Sequence, residues 1–152
     1  IIAMFISCKV FDKLMQSYYL DTSIWLDYYL KRGEHGEAAL KLIMKIITED
    51  SKVIFSNFIE KEFKHLGFSQ IEINSLLQII KPNHIKRVQV TKEQFEEARK
   101  LVKQKNIPMG DIMHAIIARD NEAQCVSRDW DFEKLKDITR ARLPEDLIKI
   151  DS

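Results

Sequence analysis

What this sequence has little of already narrows what it can be. Its 152 residues include 4 glycines and 3 prolines, too few for a collagen-like, low-complexity or disordered chain. Cysteine is almost missing as well: Cys8 and Cys125 have neither C-x-x-C spacing nor histidine-rich company. A disulfide framework and a thiolate zinc site are therefore not expected, and both thiols read as small buried hydrophobes in a reducing compartment, the cytoplasm. Long hydrophobic runs are absent too. The opening Ile1-Ile2-Ala3-Met4-Phe5-Ile6 stops at Cys8-Lys9, well short of the ~20 residues a membrane span needs, and no basic stretch precedes it as in a secretory signal. Residues 1–16 read as an N-terminal extension and 17–152 as the domain, with Met15 just ahead of the first strong strand signal.

Charge of one sign is the remaining shortage. With 24 Lys and Arg against 23 Asp and Glu the net charge is +1, so no overall positive field advertises nucleic acid, and any such binding must come from local Lys/Arg clusters. What the chain does have is 45% hydrophobic and 31% charged residues without a linker or repeat. That composition supports one packed core, and at this length folding buries roughly 70% of the unfolded surface.

Short β-type runs alternate with helical spacing. Tyr18-Tyr19-Leu20 reads as a buried strand ending at an Asp21-Thr22-Ser23 helix cap. Apolar residues then recur at helical spacing from Ile24 to Leu30 and from Glu37 to Ile47, with Gly33 and Gly36 as breaks. Val53-Ile54-Phe55-Ser56 predicts a second strand, and Asn57 the cap of a helix whose inward stripe is Ile59, Phe63 and Leu66. A helix carrying Leu76, Leu77, Ile79 and Ile80 stops before Pro82. Ile85–Val90 predicts a third strand, Thr91 opens a helix through Val102, Asp111–Asp120 predicts a buried helix, and Ala123–Ser127 a further strand. The alternation argues for α/β architecture with a mainly parallel sheet and right-handed crossovers. In such sheets the functional crevice lies beyond the carboxyl ends of the strands, where Asp21, Ser56 and Asp129 fall.

Each acid has an ordinary explanation when taken singly. Asp21 can be an N-cap, and Asp111 suits the positive end of its own helix. Yet Ile112-Met113-His114-Ala115-Ile116-Ile117-Ala118 is too apolar for a surface helix, and a carboxylate at its mouth needs a partner. On the helix after Ser56, a stripe through Ile59, Phe63 and Leu66 puts Glu62 nearer its flank than Glu60, at ~100° per residue; Glu62 is preferred and Glu60 kept in reserve. In Asp129-Trp130-Asp131 one carboxylate caps the following turn and the other is free to bind. Several strand ends thus deliver acids to one edge. Gathered carboxylates repel unless a cation sits between them, and hard oxygen donors without cysteine favour Mg²⁺ or Mn²⁺ over zinc.

Tyr19-Leu20-Asp21-Thr22-Ser23, Ser56-Asn57-Phe58-Ile59-Glu60-Lys61-Glu62-Phe63, Gly110-Asp111-Ile112-Met113-His114-Ala115 and Ser127-Arg128-Asp129-Trp130-Asp131-Phe132 resemble, in order and spacing, the four acidic motifs of PIN domains. The resemblance covers about Tyr18 to Leu135. It implies a three-layer α/β/α sandwich and Mg²⁺- or Mn²⁺-dependent RNA cleavage. It also implies frequent homodimers and, in many prokaryotic members, the toxin half of a VapBC-type pair with a small antitoxin protein. Carried over by position, Asp21, Glu62, Asp111 and Asp129 are the catalytic metal ligands, Asp131 is a further or supporting ligand, and Ser127 orients an acid. The stretch before Tyr18 is unusual for the family.

His114, one turn after Asp111, reads first as packing against or orienting that carboxylate and second as a general base. Trp25, Tyr28 and Tyr29 read as core or dimer interface ahead of base stacking. Lys61, Lys64, Arg128, Arg140 and Arg142 are candidate phosphate contacts, with solvated surface as the ordinary alternative. The rival function from another class is a catalytically silent PIN fold that binds RNA or protein. A haloacid-dehalogenase-type phosphotransferase is disfavoured, since Asp21-Thr22-Ser23 lacks an aspartate two residues after the first.

Overall fold

The computed structural model describes residues 16–80 and 82–149. The expected N-terminal extension, except Gln16, lies outside the described residues, and so does Cys8. Five strands form one sheet, β1 (Ser17–Leu20), β2 (Lys52–Ser56), β3 (Ile85–Val88), β4 (Gln124–Val126) and β5 (Ala141–Arg142), in the order β3-β2-β1-β4-β5. Every pairing is parallel, with Tyr19 opposite Ile54 on one side and Cys125 on the other. Helices α1 (Thr22–Tyr29), α2 (Gly33–Thr48), α3 (Asn57–His65), α4 (Gln70–Leu77), α5 (Lys92–Lys105), α6 (Met109–Asp120) and α7 (Pro144–Lys149) supply the crossovers and cover the sheet, giving the expected α/β/α sandwich.

Coverage on both faces explains why the central strand is apolar throughout: Tyr18, Tyr19 and Leu20 are all buried. Trp25 of α1 meets Phe55 of β2 edge to face, with ring centroids 5.8 Å apart, so it belongs to the core as expected. The chain steps outward from β1 through β2 to β3, then returns to place β4 on the other side of β1. The carboxyl ends of β1 and β4 therefore flank a topological switch point, where α/β sheets open their crevice. Asp21 follows β1 directly, and its amide extends the ladder to the Val126 carbonyl at 3.1 Å.

Some local expectations are corrected. Gly36 lies inside α2 and breaks nothing. A Cβ there would come 2.6 Å from the Asp27 carbonyl oxygen, so glycine serves the close crossing of α2 on the end of α1. The cap of α3 is Ser56, whose hydroxyl accepts from the Ile59 amide at 3.1 Å; Asn57 instead accepts from the Val90 amide at 2.9 Å. Leu66 is 59% exposed, so the buried stripe of α3 is Ile59 and Phe63 alone. Strand β5 and helix α7 were not anticipated. At two and six residues they are too short to carry a periodic signal. Thr91 does open α5, in a capping box with Gln94.

Candidate metal centre

Asp21 is both a cap and part of a larger arrangement. One carboxylate oxygen accepts from the Ile24 amide at 3.1 Å and the Ser23 hydroxyl at 2.9 Å, while the other accepts from the Ser127 hydroxyl at 2.5 Å. Burial pushes its pKa up, and His114, Ser127, Ile24 and Ser23 pull against that shift. Ser127, just past β4, also accepts from the Asp129 amide at 3.0 Å. A single hydroxyl thereby ties the end of β1 to the loop carrying Asp129, as its expected orienting role requires.

Glu62 is oriented from two directions. Its Oε1 accepts from the Thr22 hydroxyl at 2.5 Å and from His114 Nε2 at 2.6 Å. Burial alone would raise this carboxyl, but the hydrogen bond and charge of His114, helped by Thr22, hold it below the usual glutamate value. Glu60 points to Lys64 at 3.5 Å. Behind His114, Nδ1 meets the Tyr19 hydroxyl at 2.7 Å, and Tyr19 meets the Ser56 hydroxyl at 3.1 Å. His114 Nε2–H donates to Glu62, and the links from Nδ1 through Tyr19 to Ser56 run toward or away from the ring according to whether Nδ1 carries a proton. His114 thus orients a carboxylate as expected, but that carboxylate is Glu62 and not Asp111.

The third group is the tightest. Asp111 stands in the first turn of α6, and carboxylate oxygens of Asp111, Asp129 and Asp131 all lie within 4.8 Å of one another. Asp129 also caps the Trp130–Leu135 3-10 turn, accepting from the Asp131 amide at 2.9 Å. Burial first, then the charges and hydrogen bonding of Asp129 and Asp131, push Asp111 from the ordinary 3.8 to about 7. Gly110 brings α6 against α3: a Cβ there would lie 3.3 Å from Glu62 Oε2.

Of the five acids named from the sequence, three come together and two, Asp21 and Glu62, stay outside that group while sharing neighbours with it. Asp111, Asp129 and Asp131 form the close trio; Asp21 stands beside it through Ser127, and Glu62 through Gly110. Among the described residues none of the trio has a cationic ion-pair partner. Oxygen-only donors at this spacing, repelling one another, fit a hard divalent cation. The proposed phosphate contacts divide: Lys64 pairs with Glu60, Arg128 is held by Glu145 and Asp27, while Lys61, Arg140 and Arg142 are exposed.

Tyr19 and Thr22 were missed as site residues. A usable signal existed for Tyr19: a hydroxyl in a strand buried on both faces needs a polar partner, and His114 in an apolar helix has the same need. Nothing local marks Thr22, whose partner is forty positions away.

A parallel α/β sheet with an acidic crevice at its switch point defines a class, and the comparisons narrow it. The PIN domain family model matches residues 18–138, and the chain belongs to that family. No curated protein sequence matches it. The chain is similar in fold to VapBC2 from Rickettsia felis bound to a promoter DNA fragment, with TM-score 0.62 and 16% identity over 84% of this chain and 98% of that one. VapBC-1 from nontypeable Haemophilus influenzae gives TM-score 0.61 and 14% identity, covering 86% and 99%. VapC20 from Mycobacterium tuberculosis, described as a sarcin-ricin loop cleaving toxin, gives TM-score 0.57 and 15% identity, covering 78% and 94%. At such identities the likeness is one of fold.

Proposed function

We propose that this chain is a metal-dependent endoribonuclease that hydrolyses RNA phosphodiester bonds, and that it is the toxin of a pair whose other half is a small antitoxin protein. The observation that carries the reading is the approach of Asp111, Asp129 and Asp131 within 4.8 Å at the switch-point edge. PIN domains are generally metal-dependent nucleases, and the structural neighbours include toxin–antitoxin complexes. An RNA target implies the cytoplasm, and the family resemblance carries a homodimer with it. Among the described residues no helix is long and apolar enough to cross a membrane.

In this reading Asp21, Glu62, Asp111 and Asp129 are the catalytic acids, and Asp131 joins them in holding Mg²⁺ or Mn²⁺. When bound, such an ion activates water and neutralises the charge that develops as the phosphodiester breaks. The chain's own contribution is placement. Ser127 fixes Asp21 and the Asp129 loop in one register, and the chain from Ser56 through Tyr19 and His114 fixes Glu62. No covalent protein nucleophile is required.

The test is cleavage of RNA with Mg²⁺ or Mn²⁺, with chelator, and with Asp129→Asn. Cutting should need the ion and should drop by roughly 10–100-fold or more in the variant. RNA left intact by the wild type with either ion would leave a PIN fold that binds without cutting, and would overturn the proposal.

A further inference from the structure

Trp130 sits between two of the acids yet is 85% exposed, while its neighbours in the same turn, Phe132 and Leu135, are buried. The turn is thus anchored by two apolar side chains and holds the indole outward. Trp130, Arg140 and Arg142 line one pocket of about 380 Å³, and Asp129 lies on its wall. Within that pocket Glu133 is paired with Lys136 at 2.6 Å, and among the described residues neither Arg140 nor Arg142 has an ion-pair partner. The lining thus combines a carboxylate of the acidic trio, two arginines without ion-pair partners and an exposed indole.

From this arrangement we infer that the pocket is a subsite for one unpaired nucleotide of single-stranded RNA, its base stacked on Trp130 and a flanking phosphate held by Arg140 and Arg142. The inference rests on reading the adjacent acids as the RNA-cleaving site. A ligand that uses all three offers one phosphate to a cation held by the acids, a planar ring to the indole, and a second phosphate to the arginines. A polynucleotide strand has that order. A paired base offers no free face for stacking, whereas an unpaired one stacks on an aromatic side chain whatever its sequence. Asp146 also lines the pocket and can accept from a base edge or a 2′-hydroxyl.

The chain's 2 tryptophans make the test direct, because Trp25 is fully buried and Trp130 is not. A short single-stranded RNA is titrated into full-length protein with chelator, so that it is bound and not cut, while tryptophan emission is followed. Duplex RNA of the same sequence and inorganic polyphosphate serve as separate probes. Single-stranded RNA should quench the exposed indole. Trp130→Ala should weaken binding about 5- to 100-fold and Trp130→Phe should keep most of it. Arg142→Ala should weaken binding of single-stranded RNA and polyphosphate alike. With Mg²⁺, Trp130→Ala should raise KM more than it lowers kcat, and its Mg²⁺-induced rise in melting temperature should match the wild type. Unchanged affinity in Trp130→Ala, equal loss in Trp130→Phe, or loss of the Mg²⁺ effect on melting would each overturn the subsite. Quenching by RNA without ion-dependent cutting would keep the subsite and remove the nuclease reading; cutting by Trp130→Ala with unchanged KM would do the reverse.

Discussion

Glu60 and Glu62 are two residues apart on α3, so their side chains leave the helix about 200° apart. Glu62 is the one bound by Thr22 and His114, while Glu60 pairs with Lys64 at the surface. Glu62→Gln should therefore cut ion-dependent cleavage by roughly 10–100-fold or more. Glu60→Gln should leave cleavage largely unchanged, because it removes only an ion pair to Lys64 worth ~1 kcal/mol of stability or less. The reverse ranking in a cleavage assay would assign the second acid to Glu60. Asp111 carries a separate, pH-dependent expectation. With its folded value near 7 against an ordinary 3.8, the folded metal-free protein keeps a proton that the unfolded chain has already lost. Stability from this group therefore falls as pH rises through that window. Melts in chelator from pH 4 to 8 should show this decline in the wild type and less of it in Asp111→Asn; parallel curves would contradict the raised value.

At the level of elements, the crossing of α1 and α2 depends on a residue that composition alone would class as a helix breaker. Gly36→Ala should gain up to ~1 kcal/mol of helix propensity. Against that stands a Cβ 2.6 Å from a backbone oxygen that cannot rotate away. Forced repacking typically costs about 1–3 kcal/mol, so the net effect should be a lower melting temperature. Gly33→Ala offers a contrast, since φ is +57° there but no atom lies within 4 Å of the added Cβ. Its cost should come only from the left-handed backbone, roughly 1–2 kcal/mol. A stabilised Gly36→Ala in a thermal melt would mean that the two helices are not held so close. Element α7 is tied down by side chains rather than by length: Lys45 donates to the Leu147 carbonyl at 2.5 Å, and Arg128 pairs with Glu145.

For the molecule as a whole, the acids at the switch point are a source of strain in the metal-free state. Burial first, and then the charges of Asp129 and Asp131, raise Asp111, and a divalent ion would relieve the repulsion among the three. Mg²⁺ or Mn²⁺ at a hundredfold excess over Kd should add about 2.7 kcal/mol. At about 2–4 °C per kcal/mol for a chain of this size, the melt should move by roughly 5–10 °C. Asp21→Asn should reduce that gain and can raise the metal-free melt by removing one charge, with ionic strength held fixed to exclude screening. No shift of the wild-type melt at millimolar ion would count against a functional metal centre.

Much of this protein is set by sequence order alone. Alternation of short apolar runs with helical spacing determines a parallel α/β sheet, because strands covered on both faces must be apolar throughout. The order of the motifs around Asp21, Glu62, Asp111 and Asp129 determines which acids arrive at the strand ends and helix mouths. Tertiary structure decided what periodicity cannot encode. It chose Ser56 over Asn57 as a cap, turned Leu66 outward, and placed β5 and α7, elements too short for a pattern. It also made His114 the partner of Glu62 rather than of Asp111, and joined Tyr19 and Thr22 to the same network. The bonds of His114 to Glu62 and Tyr19, and of Thr22 to Glu62, join residues forty to ninety-five positions apart, and a buried polar group takes whichever partner the packed fold brings within hydrogen-bond reach.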